Sequence, residues 1–208
     1  MNFRFPRLYA IINASGGDGL PPSQVCGELL AAGVRWIQFR SKQASTREVY
    51  TEGLKLAGLI QSAGGVLIIN DRVDVAQAVE ANGVHVGQDD LPVEMARRLL
   101  GPDRIVGVST HSPEQVREAD RSNANYVALG PVFATQTKQR PDPVVGLAGL
   151  RDARRATRKP LVAIGGITLE KVSMALEAGA DSVAVVGDLF KARDLGERAR
   201  EYLKVLGE

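Results

Sequence analysis

Short apolar runs rich in β-branched residues recur at positions 8–12, 36–39, 66–69, 84–86, 105–108, 126–129, 161–164 and 182–186. Several are nearly continuous rather than alternating, the pattern of strands covered on both faces and hence of a parallel sheet. Between them, apolar positions repeat with helical spacing at 23–32, 46–63, 73–81, 93–100, 113–122, 147–157, 169–178 and 194–206. Thr46 precedes the second helix, in the cap position, with Glu48 in its first turn, and Ser112-Pro113 supplies a cap and a first helical residue. Ala32-Gly33-Val34, Ala81-Asn82-Gly83 and Ala178-Gly179-Ala180 each place Gly or Asn where a helix is expected to stop in the left-handed region.

Eight strand-then-helix units with short connections close into a barrel or spread into an open doubly wound sheet. The barrel is favoured, because Gly16-Gly17-Asp18-Gly19 after the first strand is not a G-x-G-x-x-G turn opening a helix. The expected fold is therefore a single-domain (β/α)8 TIM barrel of parallel strands over residues 1–208. No linker or shift in composition divides it, and Pro141-Asp142-Pro143 marks one helix-free loop after strand six.

With 208 residues, 44% of them apolar, the chain can bury roughly 70% of the surface its unfolded form exposes. A formal net charge of +2 gives no field that argues for nucleic acid or an anionic membrane, so anion binding must come from local clustering. No segment is apolar and long enough to span a bilayer. Cys26 is the only cysteine and sits in an apolar-periodic stretch, so it is expected to be a small buried side chain in a cytoplasmic protein.

In a parallel barrel the residues just past the strand ends gather on one rim, where active sites of this architecture lie. Arg40 and Lys42 follow strand two, Asn70 and Asp71 strand three, Asp90 strand four and Lys138 strand six. Three cations and two carboxylates at one mouth leave costly charge unless a ligand completes them. Mg²⁺, which takes one or two carboxylates plus phosphate oxygens, suits Asp71 and Asp90. Gly165-Gly166 after strand seven and Gly187 after strand eight let backbone N–H groups approach a monophosphate. The two sites together point to joining or exchange between two phosphorylated small molecules.

Plainer readings stand beside these. A Gly-Gly pair is commonly only a tight turn, Asn70-Asp71 could cap the helix near Val73, Thr135, Thr137 and Lys138 could be solvated loop residues, and His85 could simply fill the barrel interior. Arg151, Arg154, Arg155, Arg158 and Lys159 read as a solvated helix face.

The chain resembles the thiamine-phosphate synthase family along nearly its whole length. The resemblance rests on Gln38-x-Arg40-x-Lys42, Asn70-Asp71-Arg72, the run from Gly83 to Asp90, Gly107-Val108-Ser109-Thr110-His111, the run from Gly130 to Lys138, and Ala163-Ile164-Gly165-Gly166-Ile167. It implies a Mg²⁺-dependent transferase that joins hydroxymethylpyrimidine diphosphate to a thiazole phosphate by a dissociative substitution. Gln38, Arg40, Lys42, Asn70, Ser109 and Lys138 would then hold the pyrimidine diphosphate, with Arg40, Lys138 and Ser109 closest to the chemistry. Asp71 and Asp90 would bind Mg²⁺, and Thr135, Thr137, Gly166, Val186 and Gly187 would receive the thiazole phosphate. Gly187 stands where the family often has serine, and Asn13 where aspartate is common. The rivals are a thiazole tautomerase, in which His111 would move a proton, and a non-catalytic phosphate-binding barrel. The chain is also compatible with a homo-oligomer.

Overall fold

The computed structural model describes residues 5–14, 19–135 and 142–208. Eight parallel strands close on themselves in sequence order: β1 Leu8–Asn13, β2 Trp36–Arg40, β3 Val66–Asn70, β4 Gly83–Val86, β5 Ile105–Thr110, β6 Tyr126–Leu129, β7 Leu161–Ile164 and β8 Ser182–Val185. Ala10 pairs with Ile37 on one side of β1 and with Val185 on the other, which completes the circle. Helices α1 Pro22–Ala32, α2 Thr46–Ser62, α3 Val73–Ala78, α4 Val93–Leu100, α5 Pro113–Arg121, α6 Gly146–Ala156, α7 Val172–Glu177 and α8 Leu195–Leu206 follow the strands in turn. No helix among the described residues is long and apolar enough to cross a membrane.

The pattern located every strand, and the differences lie at helix ends. The α2 cap is Ser45, one residue earlier than expected, and its side chain and Glu48 satisfy each other's backbone N–H groups in a capping box. Gly33 and Gly179 end their helices with φ of 108° and 104°, as expected. Gly83 does not. Helix α3 already stops at Ala78, Glu80 takes the left-handed position at φ 55°, and Gly83 begins β4. The segment read as one helix over 169–178 is a 3₁₀ turn, Leu169–Lys171, followed by α7.

Two apolar bodies result. One lies between barrel and helices and includes Cys26, which is fully buried and whose thiol burial pushes up to about 12. The other fills the barrel with Tyr9, Ile11, Trp36, Ile68, Tyr126, Ala128, Val162 and Ala184, a packed interior rather than a pore. Phe5 covers its lower end, with ring centroids 4.9 Å from Trp36 and 5.1 Å from Tyr126. Side chains alternate along a strand, so Gln38 follows Trp36, Asn70 follows Ile68 and Ser109 follows Gly107 on the interior side, one layer nearer the mouth.

The basic run on α6 and just beyond it is partly structural. Arg154 binds Asp181 and the carbonyls of Thr157 and Lys159, and Lys159 binds the carbonyls of Ala119 and Ser122.

Candidate active site

The C-terminal ends of the strands surround a cavity of about 1100 Å³. It is lined by Gln38, Arg40, Lys42, Asn70, Asp71, Asp90, Ser109, Thr135, Gly166, Val186 and Gly187, so each of these expected site residues reaches one space. Thr137 and Lys138 lie outside the described residues.

On the β2–β4 side the charges are tightly set. Lys42 Nζ is 3.3 Å from Asp71 Oδ2, and Arg40 donates to Asn13 Oδ1 at 3.4 Å. Asp71 departs from β3 with φ 61°, a conformation unusual for a residue with a side chain and one that persists where surrounding bonds impose it. Its N–H donates to the His85 carbonyl at 2.8 Å and that of Arg72 to the Asn70 carbonyl at 2.7 Å. The α3 N-cap is Arg72, with no side-chain capping bond, so Asn70-Asp71 is not a helix cap. Arg72 itself binds Asp74 and Thr46.

Burial, reinforced by Asp90, raises the Asp71 carboxyl to about 6 despite Lys42. Asp90 is anchored by the Gly87 N–H at 2.7 Å. A buried carboxyl that holds its proton this strongly beside a second carboxylate is short of a cation, and oxygen donors of this kind fit Mg²⁺ with water and phosphate completing its shell. Beside them, Asn70 is 7% exposed, and its Nδ2 donor has no acceptor among the described residues. A buried donor left open in this way is what a ligand acceptor would satisfy.

Across the mouth, Gly165 and Gly166 have φ of 92° and 64°. A Cβ at Gly166 would stand 2.3 Å from the Ala134 carbonyl oxygen and one at Gly165 2.5 Å from Pro131 Cα. The turn is therefore locked to the β6 loop, and Val132 and Phe133 donate to the carbonyls of Ile164 and Gly165. Lys171 donates to the Gly166 carbonyl at 3.3 Å and lies 4.8 Å over the Phe133 ring. After β8, Asp188 accepts from Arg198 and from the Tyr202 hydroxyl at 2.7 Å, which pins the Val186-Gly187 bend to α8. The Asp188 charge is thus already matched, and Lys171 and Lys191 face the cavity as added cations.

Sequence reasoning missed Lys171, Lys191 and the buried polar chain on the cavity floor through Tyr9 and Tyr126 to His85, of which only His85 was expected in the barrel interior. Lys171 carries a faint signal, five residues after the glycine pair. The floor residues carry none beyond interior alternation. His111, also at the mouth, donates from Nδ1 to the Gly130 carbonyl at 2.6 Å, with Asp142 3.6 Å away.

The thiamine monophosphate synthase family model matches residues 8–189. A thiamine-phosphate synthase of Koribacter versatilis is 47% identical over 98% of this chain and 97% of its own length. That of Chloroflexus aurantiacus is 44% identical over 94% and 90%. The solved thiamine phosphate pyrophosphorylase of Pyrococcus furiosus superposes with a TM-score of 0.87 at 35% identity, covering 97% of this chain and 95% of that one. A KDPGal structure, 15% identical with a TM-score of 0.71, shares the fold alone. Matches of this extent, on a barrel whose mouth gathers both charge clusters, make the chain a member of the thiamine monophosphate synthase family of transferase enzymes.

Proposed function

We propose that this protein joins hydroxymethylpyrimidine diphosphate to a thiazole phosphate, forming thiamine phosphate and diphosphate, as a cytoplasmic Mg²⁺-dependent enzyme. The observation that carries the reading is the meeting, in one cavity, of a cation-seeking Asp71–Asp90 pair and a separate glycine cradle at Gly165-Gly166.

Gln38, Asn70 and Ser109 hold the pyrimidine, while Arg40, Lys42 and Lys138 meet its diphosphate. Thr135, Thr137, Gly166, Val186 and Gly187 hold the thiazole phosphate, with Lys171 adding charge. Asp71 and Asp90 hold Mg²⁺, which when bound supplies Lewis-acid neutralisation of the diphosphate oxygens. The bond from the pyrimidine methylene carbon to the diphosphate oxygen breaks, and its electron pair leaves on that oxygen. The amino-pyrimidine delocalises the resulting cation, and the thiazole nitrogen lone pair forms the new C–N bond. Arg40 and Lys138 stabilise the charge that grows on the leaving group, a preorganised electrostatic contribution that needs no protein nucleophile.

The test is to supply both substrates to the purified protein with Mg²⁺, with and without EDTA. Magnesium-dependent thiamine phosphate with matching diphosphate release is expected. Chelator-resistant isomerisation of the thiazole phosphate without coupling would transfer the assignment to a tautomerase, and binding without any turnover to a non-catalytic barrel.

A further inference from the structure

The floor of the cavity carries an unbroken line of hydrogen bonds. Gln38 Nε2 lies 2.7 Å from the Tyr9 hydroxyl, which lies 2.8 Å from that of Tyr126. His85 Nδ1 is 2.8 Å from the Tyr126 hydroxyl, and His85 Nε2 is 2.8 Å from Ser109 Oγ. Gln38, Tyr9, Tyr126 and His85 are each at most 6% exposed.

Each hydroxyl has one proton to give, and a neutral imidazole has one donor and one acceptor nitrogen. With every buried hydroxyl proton spent on the next group, since one left without an acceptor costs the full desolvation penalty, such a line runs in one of two directions. In one, Gln38 gives to Tyr9, Tyr9 to Tyr126, Tyr126 to Nδ1, and Nε2–H to Ser109, whose own proton is then free for the mouth. In the other, every bond is reversed, the Gln38 amide is turned over, and Ser109 spends its proton on His85. The amide orientation, with Gln38 Nε2 turned to the Tyr9 oxygen, favours the first. Tyr9 and Tyr126 are completely buried, and desolvation holds both phenols in the protonated form the line requires.

We infer that His85 is a positioning residue, fixed as its Nε2–H tautomer by the Tyr9–Tyr126 pair, so that Ser109 presents a donor and Gln38 Oε1 an acceptor to the ligand. Only the Nε2 side of Gln38 is engaged among the described residues. An aminopyrimidine offers the complementary edge, with an exocyclic N–H for Gln38 and a ring nitrogen for Ser109. This choice of ligand rests on the function proposed above, whereas the direction of the line does not.

The sequence contains only two histidines, so two-bond ¹H–¹⁵N spectra of ¹⁵N-histidine-labelled protein report the tautomer directly, with His111→Gln assigning the signals by elimination. An unprotonated Nδ1 and a protonated Nε2 on His85 are expected without any substrate present, and the opposite tautomer would overturn the inference. That readout stands even if synthase turnover is absent, which would overturn only the proposed function. With turnover, Tyr126→Phe should lower kcat about tenfold, the worth of one hydrogen bond to a group that must be aimed. Its KM for the thiazole phosphate should not move. In a Ser109→Ala background the same change should cost less than about twofold, because the group being aimed is gone. An equal loss in both backgrounds would assign Tyr126 and His85 to packing alone.

Discussion

Lys42 Nζ stands 3.3 Å from Asp71 Oδ2 and yet does not neutralise it. The lysine side chain is 54% exposed and the aspartate 20%, so the cation keeps most of its water while the carboxyl has lost its own. Burial and Asp90 win, and the Asp71 carboxyl stays near 6.

Asp71→Asn should therefore stabilise the metal-free protein at neutral pH while abolishing most turnover. A carboxyl raised from 3.8 to about 6 carries on the order of 3 kcal/mol of charge penalty that the amide lacks. Thermal unfolding in EDTA checks the sign, and a lower midpoint for the variant would contradict it. In the unmodified protein Mg²⁺ should raise the midpoint, and Asp90→Asn should raise the Mg²⁺ concentration for half-maximal turnover by at least about tenfold.

Lys171→Ala should raise KM for the thiazole phosphate about tenfold, the scale of one charge-assisted contact, and leave KM for the pyrimidine diphosphate unchanged. The dephosphorylated thiazole makes the sharper comparison. If Lys171 meets the phosphate, the variant and the parent should use that alcohol equally poorly.

Gly166→Ala should cost more than about 2 kcal/mol of stability, since the left-handed φ and the close Ala134 carbonyl both oppose a Cβ. Urea unfolding measures it. A variant as stable as the parent would mean that the turn can leave the β6 loop.

Alkaline pH should destabilise the fold through its buried phenols. Tyr9 is pushed from 10.0 up to about 12 by burial, and Tyr126 and Tyr202 are raised as well. The folded protein thus binds these protons more tightly than the unfolded chain. Their stabilising contribution is complete below pH 10 and is lost as pH climbs through about 12. In a Tyr50→Phe background, which removes the exposed tyrosine, phenolate absorbance should then appear together with loss of tertiary circular dichroism, rather than ahead of it.

The barrel was legible because strands buried on both faces, such as Leu161–Ile164, spell uninterrupted apolar runs, and because Gly33 and Gly179 sit where helices must turn. Gly83 misled for a physical reason: it is glycine to let β4 lie against β5, where a Cβ would come within 2.1 Å of the Ile105 carbonyl oxygen. That close approach looks like a helix stop in one dimension. Rim residues such as Arg40 and Asp90 could be placed from strand ends alone. The floor could not, because partners such as Tyr9 and Tyr126 are 117 positions apart and meet only when the barrel closes.

Phe5, tilted against Trp36 and Tyr126, closes the lower end of an interior already filled by side chains, so the cavity is a cul-de-sac. Whatever arrives must leave by the way it came, past the same rim of charges. On the reaction proposed above, the pyrimidine diphosphate at the floor loads before the thiazole phosphate, and the joined product withdraws whole. On that reaction, the order of traffic follows from the closed far end, well away from any atom that reacts.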